Sequence, residues 1–371
     1  MNNEIYLDHN ATAPVREAVA DAMMAALRQT GNASSVHRFG RRQRQLVETA
    51  RAEVAALLGA PPQNVVFTGG GTEANNLALR GAGRKRIIVS AIEHLSVLQA
   101  ADGAEIAPVT AAGIVDIDRL AGMMAADGEP ALVSVMLANN ETGAVQPLDD
   151  IAGIVEQAGG ILHSDMVQAA GRLPLDRYPM AMATVSAHKI GGPQGIGALV
   201  LGRDVPLSPV IRGGGQERGR RAGTENMAGI VGFGVAARLA REQADGNAAM
   251  AKMRDRMEAR LLRAFPDAVV FGAGAPRLDN TSCVAIPGMR AETQIMALDL
   301  AGIAVSAGSA CSSGKVTTSH VLQAMGVAAD MAQCAIRISF GPGNSDADSD
   351  RLIDILRSLR GRTARQDPEA A

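Results

Sequence analysis

The sequence is poor in aromatic residues and in cysteine. Phe, Tyr and Trp together make up 2% of the 371 residues and Trp is absent, so aliphatic residues and the 17 Met must build the core. The three cysteines, Cys283, Cys311 and Cys334, lie far apart without a C-x-x-C pair, which excludes a disulfide scaffold and the standard zinc motifs. This use of cysteine is typical of a reducing cytoplasm.

Strong net charge and long apolar runs are also missing. The formal net charge of −2 argues against a general affinity for nucleic acid or anionic membranes. No apolar run reaches the ~18 residues that a membrane span needs, and the N-terminus lacks the basic and apolar regions of a secretion signal. The six His show no i, i+4 ligand spacing, so no metal site is predicted. We therefore expect a cytoplasmic protein without a membrane or direct nucleic-acid partner.

Lysine is the scarcest basic residue, which limits where a Schiff base could form. Only four of the 36 basic residues are lysines, namely Lys85, Lys189, Lys252 and Lys315. Lys189 follows an apolar run and is flanked by small residues that leave room for a ring. A lysine at a strand end is more often a surface charge. Its neighbours Ser186 and His188 can donate to a phosphate, however, and they favour a partly buried, reactive amine.

Short apolar runs alternate with helical patterns through the first two thirds of the chain. The runs occupy residues 65–68, 86–90, 131–137, 160–165 and 183–189, and this alternation predicts an α/β fold with a mainly parallel sheet covered on both faces. The pattern changes after about residue 245, where a smaller α+β domain is expected. We predict a large domain over 12–246 and a small domain formed by 1–11 and 247–371.

In a parallel sheet of this kind, ligands bind at the carboxyl ends of the strands. Polar side chains that follow the apolar runs should therefore converge on one site. They are Thr72, His94, Asn140, Asp165, Gln168, Ser186, His188 and Lys189.

The stretch GGGTEANN (69–76) is a candidate phosphate loop. Its glycines, including Gly71, let the backbone turn tightly into a helix whose first N–H groups suit an anion. A plain glycine-rich turn explains the loop equally well when it is considered alone. The loop is not a G-x-G-x-x-G, which disfavours a nicotinamide cofactor.

Asp165 closes an apolar run and should be poorly solvated, so it needs a cation as partner. The protonated ring nitrogen of pyridoxal phosphate would serve, because an Asp beneath the ring and a Lys on the aldehyde carbon are the expected arrangement for this cofactor. Asp165 could instead cap the following helix. Gln168 could reach the ring hydroxyl, and His94 could stack on the ring or carry protons, although a lone His is more often structural.

Motifs spread over nearly the whole chain resemble those of group I cysteine desulfurases of the NifS/IscS type, which are fold type I pyridoxal-phosphate enzymes. They are YLDHNATAP, HRFG, FTGGGTEANN, EHLSV, ANNETGAVQP, HSDMVQAAG, SAHKIGGPQGIGAL, GGGQERGRRAGTEN, SAGSACSSG and SHVLQAMG. The resemblance implies a large domain with a mainly parallel seven-stranded sheet and a smaller α+β domain carrying the cysteine loop.

The resemblance also implies roles for individual residues. Lys189 would hold the cofactor, Asp165 would pair with its ring nitrogen and His94 would stack over the ring. Gln168 and Asn140 would contact the ring oxygen or the substrate, and Arg337 would bind the substrate carboxylate through two hydrogen bonds. The residues that would bind the phosphate are Gly71, Thr72, Ser186 and His188. In a homodimer, Thr224 of each subunit would reach the phosphate in the site of the neighbouring subunit.

Cys311 lies in SAGSACSSGK (306–315), a stretch of small residues that cannot bury an apolar face and is predicted to be a poorly ordered loop. The resemblance implies that Cys311 takes sulfur from L-cysteine as a persulfide, leaves L-alanine, and delivers the sulfur to an acceptor protein for iron–sulfur cluster assembly or thiolation. An iron–sulfur cluster could be bound transiently through Cys311. Cys283 and Cys334 are expected to be small core residues.

Two other functions remain open from the residues. The chain could be another pyridoxal-phosphate aminotransferase or lyase, which would not need the loop cysteine, or a non-catalytic scaffold of the sulfur system, which would not need Lys189, Asp165 and His94. The chain also ends soon after its last predicted helix and is shorter than IscS-type members. Docking of a scaffold protein is therefore less firmly expected than the desulfurase chemistry.

Overall fold

The computed structural model describes residues 4–202, 205–243, 248–307 and 318–366. In chain order its strands are β1 (Ile5–Tyr6), β2 (Val65–Thr68), β3 (Ile87–Ser90), β4 (Glu105–Ala107), β5 (Leu132–Ser134), β6 (Ile161–Asp165), β7 (Met182–Ser186), β8 (Gly197–Leu201), β9 (Val269–Phe271), β10 (Thr281–Ala285), β11 (Ile303–Ala304), β12 (Ser306–Ala307) and β13 (Ala335–Ser339). Its α-helices are α1 (Glu17–Leu27), α2 (Arg38–Leu57), α3 (Gly71–Gly81), α4 (Leu95–Leu98), α5 (Ile117–Asp127), α6 (Leu148–Gln157), α7 (Met227–Gln243), α8 (Ala248–Ala264), α9 (Ala291–Leu300), α10 (His320–Ala324), α11 (Ala329–Ala332) and α12 (Asp346–Gln366). Within these ranges no helix is both long and apolar enough to span a membrane.

Seven strands form the central sheet in the order β2-β8-β7-β6-β5-β3-β4. The strands from β7 through β6, β5 and β3 to β4 are all parallel to their neighbours, whereas β8 runs antiparallel to both β7 and β2. The predicted α/β fold with a mainly parallel seven-stranded sheet is confirmed.

Helices cover both faces of this sheet, which explains why its strands are apolar along their whole length. Val65 and Phe67 of β2 belong to the apolar cluster that α1, α2, α5, α6 and α7 form on one face of the sheet. Val66, between them, packs with α3 and α4 on the other face. Because successive side chains of a strand point to opposite faces, both sets must be apolar when both faces are buried.

A second layer is built around a four-stranded antiparallel sheet in the order β12-β13-β10-β9. Its core takes side chains from α8, α9 and α12, such as Met257, Leu298 and Leu356, and also Ile5 and Leu7 from the start of the chain. The N-terminal segment joins this layer because β1 pairs with β11 in parallel. The domain division at 11/12 and 246/247 stays a prediction, and the second boundary lies within 244–247, outside the described residues.

One predicted strand is shorter than the apolar run that predicts it. Residues 131–137 are apolar except for Ser134, but β5 comprises only Leu132–Ser134. Leu137 N still donates to Asp165 O at 3.0 Å, so the chain continues alongside β6. Met136, the residue before Leu137, donates its N–H to the side chain of Glu93 at 2.7 Å instead of to a neighbouring strand.

A buried ion pair fixes the glycine-rich segment 212–224 against the sheet. The guanidinium of Arg51 on α2 donates to both carboxylate oxygens of Glu217, at 2.7 and 3.0 Å. Phe67 N on β2 donates to the same carboxylate at 2.9 Å. Glu217 and Arg218 adopt positive φ values of 47° and 59°. Residues other than glycine rarely adopt this backbone conformation, and they keep it where the surrounding structure holds them in place.

We expect Arg51→Ala to lower the free energy of unfolding by about 3–5 kcal/mol, because it leaves the buried Glu217 carboxylate without its cation. Urea denaturation monitored by circular dichroism measures the loss. The control is Arg238→Ala, which breaks the exposed Arg238–Glu242 pair and should cost less than about 1 kcal/mol. Equal losses in the two variants would contradict this role of the pair.

Candidate active site

A cavity of about 360 Å³ lies where the parallel strands end. Asp165 is the last residue of β6, Ser186 is the last residue of β7, and Lys189 follows in a short 3-10 turn. The walls are formed by residues of both sheets and of the N-terminal segment, namely Asn10, Ala11, Gly71, Thr72, Asn75, His94, Ser96, Met136, Asn140, Asp165, Val167, Gln168, Ser186, His188, Lys189 and Arg337.

Ten of the twelve predicted site residues line this one cavity: Gly71, Thr72, His94, Asn140, Asp165, Gln168, Ser186, His188, Lys189 and Arg337. Thr224 is exposed and does not line the cavity of its own chain. Cys311, together with the predicted poorly ordered loop around it, falls in 308–317 and lies outside the described residues. Cys283 and Cys334 are buried core residues, as predicted.

Helix α3 presents its N-terminus to one end of the cavity. Gly70 precedes the helix with φ of 151° and ψ of 179°, a conformation that favours glycine, and a side chain on Gly71 would meet Val167 at 3.2 Å. Glu73, the nearest carboxylate, accepts from Arg221 at 2.8 Å and from Gly69 N at 2.7 Å. The first N–H groups of α3 and the helix dipole therefore make this end suitable for a phosphate.

Ser186 and His188 lie beside the same helix N-terminus, where the main cavity continues into a more open hollow that also contains Thr72. The imidazole Nδ1 of His188 lies 3.3 Å from Thr12 Oγ1. Burial, helped by the charge of Lys189, lowers the pKa of His188 to about 4. The ring is therefore neutral near pH 7 and can act only through hydrogen bonds.

Lys189 has the environment that a reactive amine needs. Its Nζ donates to the backbone oxygens of Asn10 at 2.6 Å and Ala11 at 2.7 Å. Burial is the largest cause that lowers the pKa of Lys189, to about 8, and the charges of Arg337 and Arg172 act in the same direction. A much larger share of this amine than of an ordinary lysine is therefore uncharged at neutral pH.

We expect capture of pyridoxal phosphate by the cofactor-free protein to speed up as the pH rises through about 8 and then to level off. The uncharged amine is the nucleophile, and its share rises as the pH passes the pKa of Lys189. Trapping with borohydride at pH 6 to 10, followed by peptide mass spectrometry, measures this profile. The exposed Lys252 serves as internal reference in the same samples. An identical pH profile at Lys189 and Lys252 would contradict the assignment.

Asp165 is a buried carboxylate without a cationic partner among the described residues. Only 6% of it is exposed, and it accepts from Asn75 Nδ2 at 2.8 Å and from Val167 N at 3.0 Å. Both donors are neutral. The charge of Lys189 acts on the carboxylate across the cavity, but among the described residues no cation forms an ion pair with it. Sequence reasoning missed Asn75, although it follows Thr72 by three residues and so shares its face of α3.

His94 is held in one orientation at the start of α4. Ser96 N donates to His94 Nδ1 at 3.1 Å, so Nδ1 is an acceptor and the neutral ring carries its proton on Nε2. Burial lowers the pKa of His94, and the charges of Lys189 and His320 lower it further, while Asp165 opposes them. A neutral ring suits both stacking and proton transfer.

Arg337 is almost completely buried in the middle of β13, with 3% exposed. It donates to Asp8 at 2.7 Å and to the backbone oxygen of Asn140 at 3.1 Å. Its Nε is buried without a hydrogen-bond partner among the described residues. Arg337 lines the cavity, and a guanidinium in the cavity wall is a suitable contact for a ligand carboxylate. Asp8, in the motif YLDHNATAP, was not predicted as a site residue.

Asn10 ties the cavity to the second layer and was also missed. Its backbone oxygen accepts from Lys189 and, at 3.0 Å, from Gln168 Nε2. Its side chain donates to Thr281 Oγ1 at 2.9 Å and accepts from Asn280 Nδ2 at 3.0 Å, both next to or in β10. The residue therefore joins the catalytic wall of one sheet to a strand of the other.

Two buried carboxylic acids behind the cavity were not expected either. Glu93, next to His94, is completely buried, and burial raises its pKa to about 8. Its Oε1 accepts from Ser90 Oγ at 2.6 Å, whereas its Oε2 has no partner among the described residues. Burial likewise raises the pKa of Glu141, which accepts from Ser319 Oγ at 2.5 Å. The motifs EHLSV and ANNETG contain both residues, but nothing in their spacing predicts burial.

The model of the class-V aminotransferase family matches residues 5–352. The chain is therefore an enzyme of the class-V aminotransferase family, whose members depend on pyridoxal phosphate. It is 43% identical to a cysteine desulfurase of Gluconacetobacter diazotrophicus, covering 99% of this chain and 96% of that protein.

A second relative and a solved structure agree with this assignment. The chain is 39% identical to an IscS-like cysteine desulfurase of Mycobacterium tuberculosis, covering 99% of this chain and 98% of that protein. The crystal structure of a NifS-like protein from Rickettsia africae superposes with a TM-score of 0.89 at 34% identity, covering 97% of this chain and all of that one. Within the class-V aminotransferases, the chain belongs to the cysteine desulfurases.

Proposed function

We propose that the cavity holds pyridoxal phosphate and converts L-cysteine to L-alanine, with the sulfur passing to Cys311. The observation that carries the proposal is the pairing, in one cavity, of a buried lysine with a lowered pKa and a buried carboxylate that lacks a cation. Most soluble folds need neither a buried amine nor a buried carboxylate. Together the two groups suit the two reactive positions of the cofactor ring, its aldehyde carbon and its ring nitrogen.

The residues present fit this cofactor. Lys189 would bind it covalently, and Asp165 would pair with its protonated ring nitrogen. The N-terminus of α3, with Gly71 and Thr72, would bind the phosphate together with Ser186 and His188. His94 would lie over the ring, and Gln168 Nε2, which keeps one hydrogen beyond its bond to Asn10, would reach the ring hydroxyl. When bound, pyridoxal phosphate supplies an acceptor for the electrons released at the substrate Cα.

The chain itself supplies substrate binding and proton transfer. Arg337, in the cavity wall, holds the substrate carboxylate, and Asn140 lies beside it because its backbone oxygen accepts from the Arg337 guanidinium. The released amine of Lys189, held by the carbonyl groups of Asn10 and Ala11, takes the Cα proton as a general base. A pKa near 8 suits this role because the amine can both accept and return a proton near neutral pH.

Sulfur transfer is assigned to the thiolate of Cys311. It attacks the substrate sulfur, so an S–S bond forms on Cys311 while the substrate C–S bond breaks and its electron pair stays with carbon. The carbon then gains a proton, for which His94 is the suitable donor. The balance is L-cysteine plus one thiol giving L-alanine plus one persulfide. We propose that the persulfide sulfur then moves to an acceptor protein for iron–sulfur cluster assembly or thiolation.

The test is to load the purified chain with pyridoxal phosphate and to add L-cysteine. We expect a yellow protein that forms alanine and transferable sulfur in equal amounts. Pyruvate in place of alanine would indicate a lyase, and amino transfer from alanine to a 2-oxo acid would indicate an aminotransferase. A chain that stays colourless with added cofactor would fit the scaffold alternative and exclude every pyridoxal-phosphate activity.

We further propose a homodimer in which Thr224 contacts the phosphate in the neighbouring site. The exposed position of Thr224, outside the cavity of its own chain, supports this arrangement. Sedimentation of the loaded protein should show a dimer, and Thr224→Ala should release the cofactor faster without changing the dimer. Unchanged cofactor release would exclude this role of Thr224.

A further inference from the structure

A second cavity, of about 300 Å³, lies on the other side of Lys189, and we call it the Arg16–Arg172 cavity. Lys189 lines both cavities and so lies between them. The remaining walls come from the start of the chain, the segment after β6, the end of β13, the end of α7 and the start of α8. The side chains used below are Arg16, Arg172, His9, Val15, Met250 and Phe340.

The charged side chains that the structure describes in the wall of this cavity are all positive. Arg16, Arg172 and Lys189 line it, and no Asp or Glu belongs to its described wall. Neither arginine forms an ion pair within the part of the chain that the structure describes. The guanidinium of Arg172 donates to the backbone and side-chain oxygens of Gln168, at 2.7 and 2.8 Å, which are both neutral. Two partly buried guanidinium groups that face one hollow are expected to attract an anion.

Burial is the main influence on the titratable side chains of this wall. Burial lowers the pKa of Arg172 to about 10, and the charge of Arg337 lowers it further. Burial also lowers the pKa of Arg16. The pKa of His9 falls to about 4, chiefly by burial and then by the charge of Arg172, while the charge of Asp8 opposes them, so its ring is a neutral part of the wall near pH 7.

Apart from His9 and Gln243, the other residues that line the cavity are small or apolar, which restricts the kind of anion that it can bind. Val15, Met250 and Phe340 line it together with Pro14 and Pro342. An inorganic ion would leave these walls in contact with water, whereas an organic anion would cover them. A carboxylate with a short alkyl body has both parts, because guanidinium groups bind carboxylates through paired hydrogen bonds.

We propose that the Arg16–Arg172 cavity binds a small organic carboxylate, with the carboxylate group on the two arginines and the alkyl body on the apolar wall. The bound charge would lie next to Lys189 and would stabilise its protonated form. Occupancy of the cavity would thereby adjust how much of the amine is uncharged. The cavity shares Lys189 with the proposed cofactor site, but binding of the carboxylate does not rest on the function proposed above.

Calorimetric titration of the full chain loaded with pyridoxal phosphate tests the proposal, with isobutyrate as probe. Isobutyrate should bind saturably, and its uncharged analogue isobutyramide should bind at least ~10-fold more weakly. Acetate should bind roughly tenfold more weakly than isobutyrate, because it buries two fewer carbon atoms. If the chain does not take up pyridoxal phosphate, the same titration on the unloaded chain tests this site independently of the cofactor.

Four variants locate the probe. Arg16→Gln and Arg172→Gln should each weaken isobutyrate binding at least ~10-fold. Arg337→Lys, in the first cavity, and the surface variant Arg238→Gln should leave its affinity unchanged. If Arg172→Gln does not fold, Arg16→Gln decides alone.

Several results would overturn the proposal. They are no saturable binding, unchanged affinity in Arg16→Gln, loss of binding only in Arg337→Lys, and sulfate binding more tightly than isobutyrate. A second readout is the pH profile of borohydride trapping at Lys189 in the unloaded chain. Saturating isobutyrate should move it to higher pH in the wild type and leave it in place in Arg16→Gln, since a nearby anion raises the pKa of an amine. An unmoved profile in the wild type would exclude the predicted effect on Lys189.

Discussion

Replacing Lys189 with alanine is expected to reduce alanine formation from L-cysteine by at least roughly 10³-fold, because the covalent link to the cofactor and the base at Cα are lost together. Borohydride should then no longer attach pyridoxal phosphate to the chain, and the absorbance of the mixture should change from that of the wild type. The polypeptide should still fold, since the substitution removes a buried amine that lies near two guanidinium groups.

Two further variants control this experiment. Lys252→Ala removes an exposed helix lysine and should leave the rate unchanged. Lys189→Arg keeps a positive charge at the site but offers no amine that can form a Schiff base, so it should be as inactive as Lys189→Ala. Retention of more than about a tenth of the activity in Lys189→Arg would show that charge alone, and not the amine, matters at this position.

Replacing Cys311 with alanine is expected to reduce sulfur transfer by at least roughly 10²-fold while cofactor binding stays intact. The thiolate of Cys311 is the nucleophile of the proposed step. Cys311 is not among the residues proposed to hold the cofactor. Mass spectrometry should detect a gain of one sulfur atom on Cys311 in the wild type after a single addition of L-cysteine, and none in the variant.

The matched control is Cys334→Ala. Cys334 is 5% exposed and packs in the apolar cluster near α11, so its removal should leave the activity in place. Normal sulfur release by Cys311→Ala would refute the persulfide role without affecting the assignment of Lys189. Equal losses in the two cysteine variants would indicate that stability, and not thiol chemistry, limits the reaction.

Much of the fold and most of the cavity wall could be predicted from the sequence because both follow from short-range rules. Apolar runs between helical patterns predicted the parallel sheet, and the carboxyl-end rule then brought Asp165, Ser186 and Lys189 together. Thr72 and Gly71 followed from the glycine turn that begins α3. Arg337 came from the resemblance to a family, since nothing local distinguishes it from other strand arginines.

The residues that were missed depend on contacts across long sequence separations. Asp8 meets Arg337 because β1 pairs with β11, and because Asp8 itself forms a bridge with Ser339, far away in sequence. Met136 leaves the strand pattern because the buried Glu93 takes its N–H. Such partners become visible only when the two sheets are in place, and periodicity within a segment carries no information about them.

The hydrogen bonds of Asn10 have a consequence for how the two layers communicate. One face of this residue contacts Lys189 and Gln168, and the other contacts Asn280 and Thr281 beside β10. Any shift of the second layer that moves Asn10 therefore changes the free energy of the lysine amine, and by thermodynamic linkage the state of that amine biases the position of the layer. The position of the second layer and the protonation of Lys189 are thus two coupled equilibria.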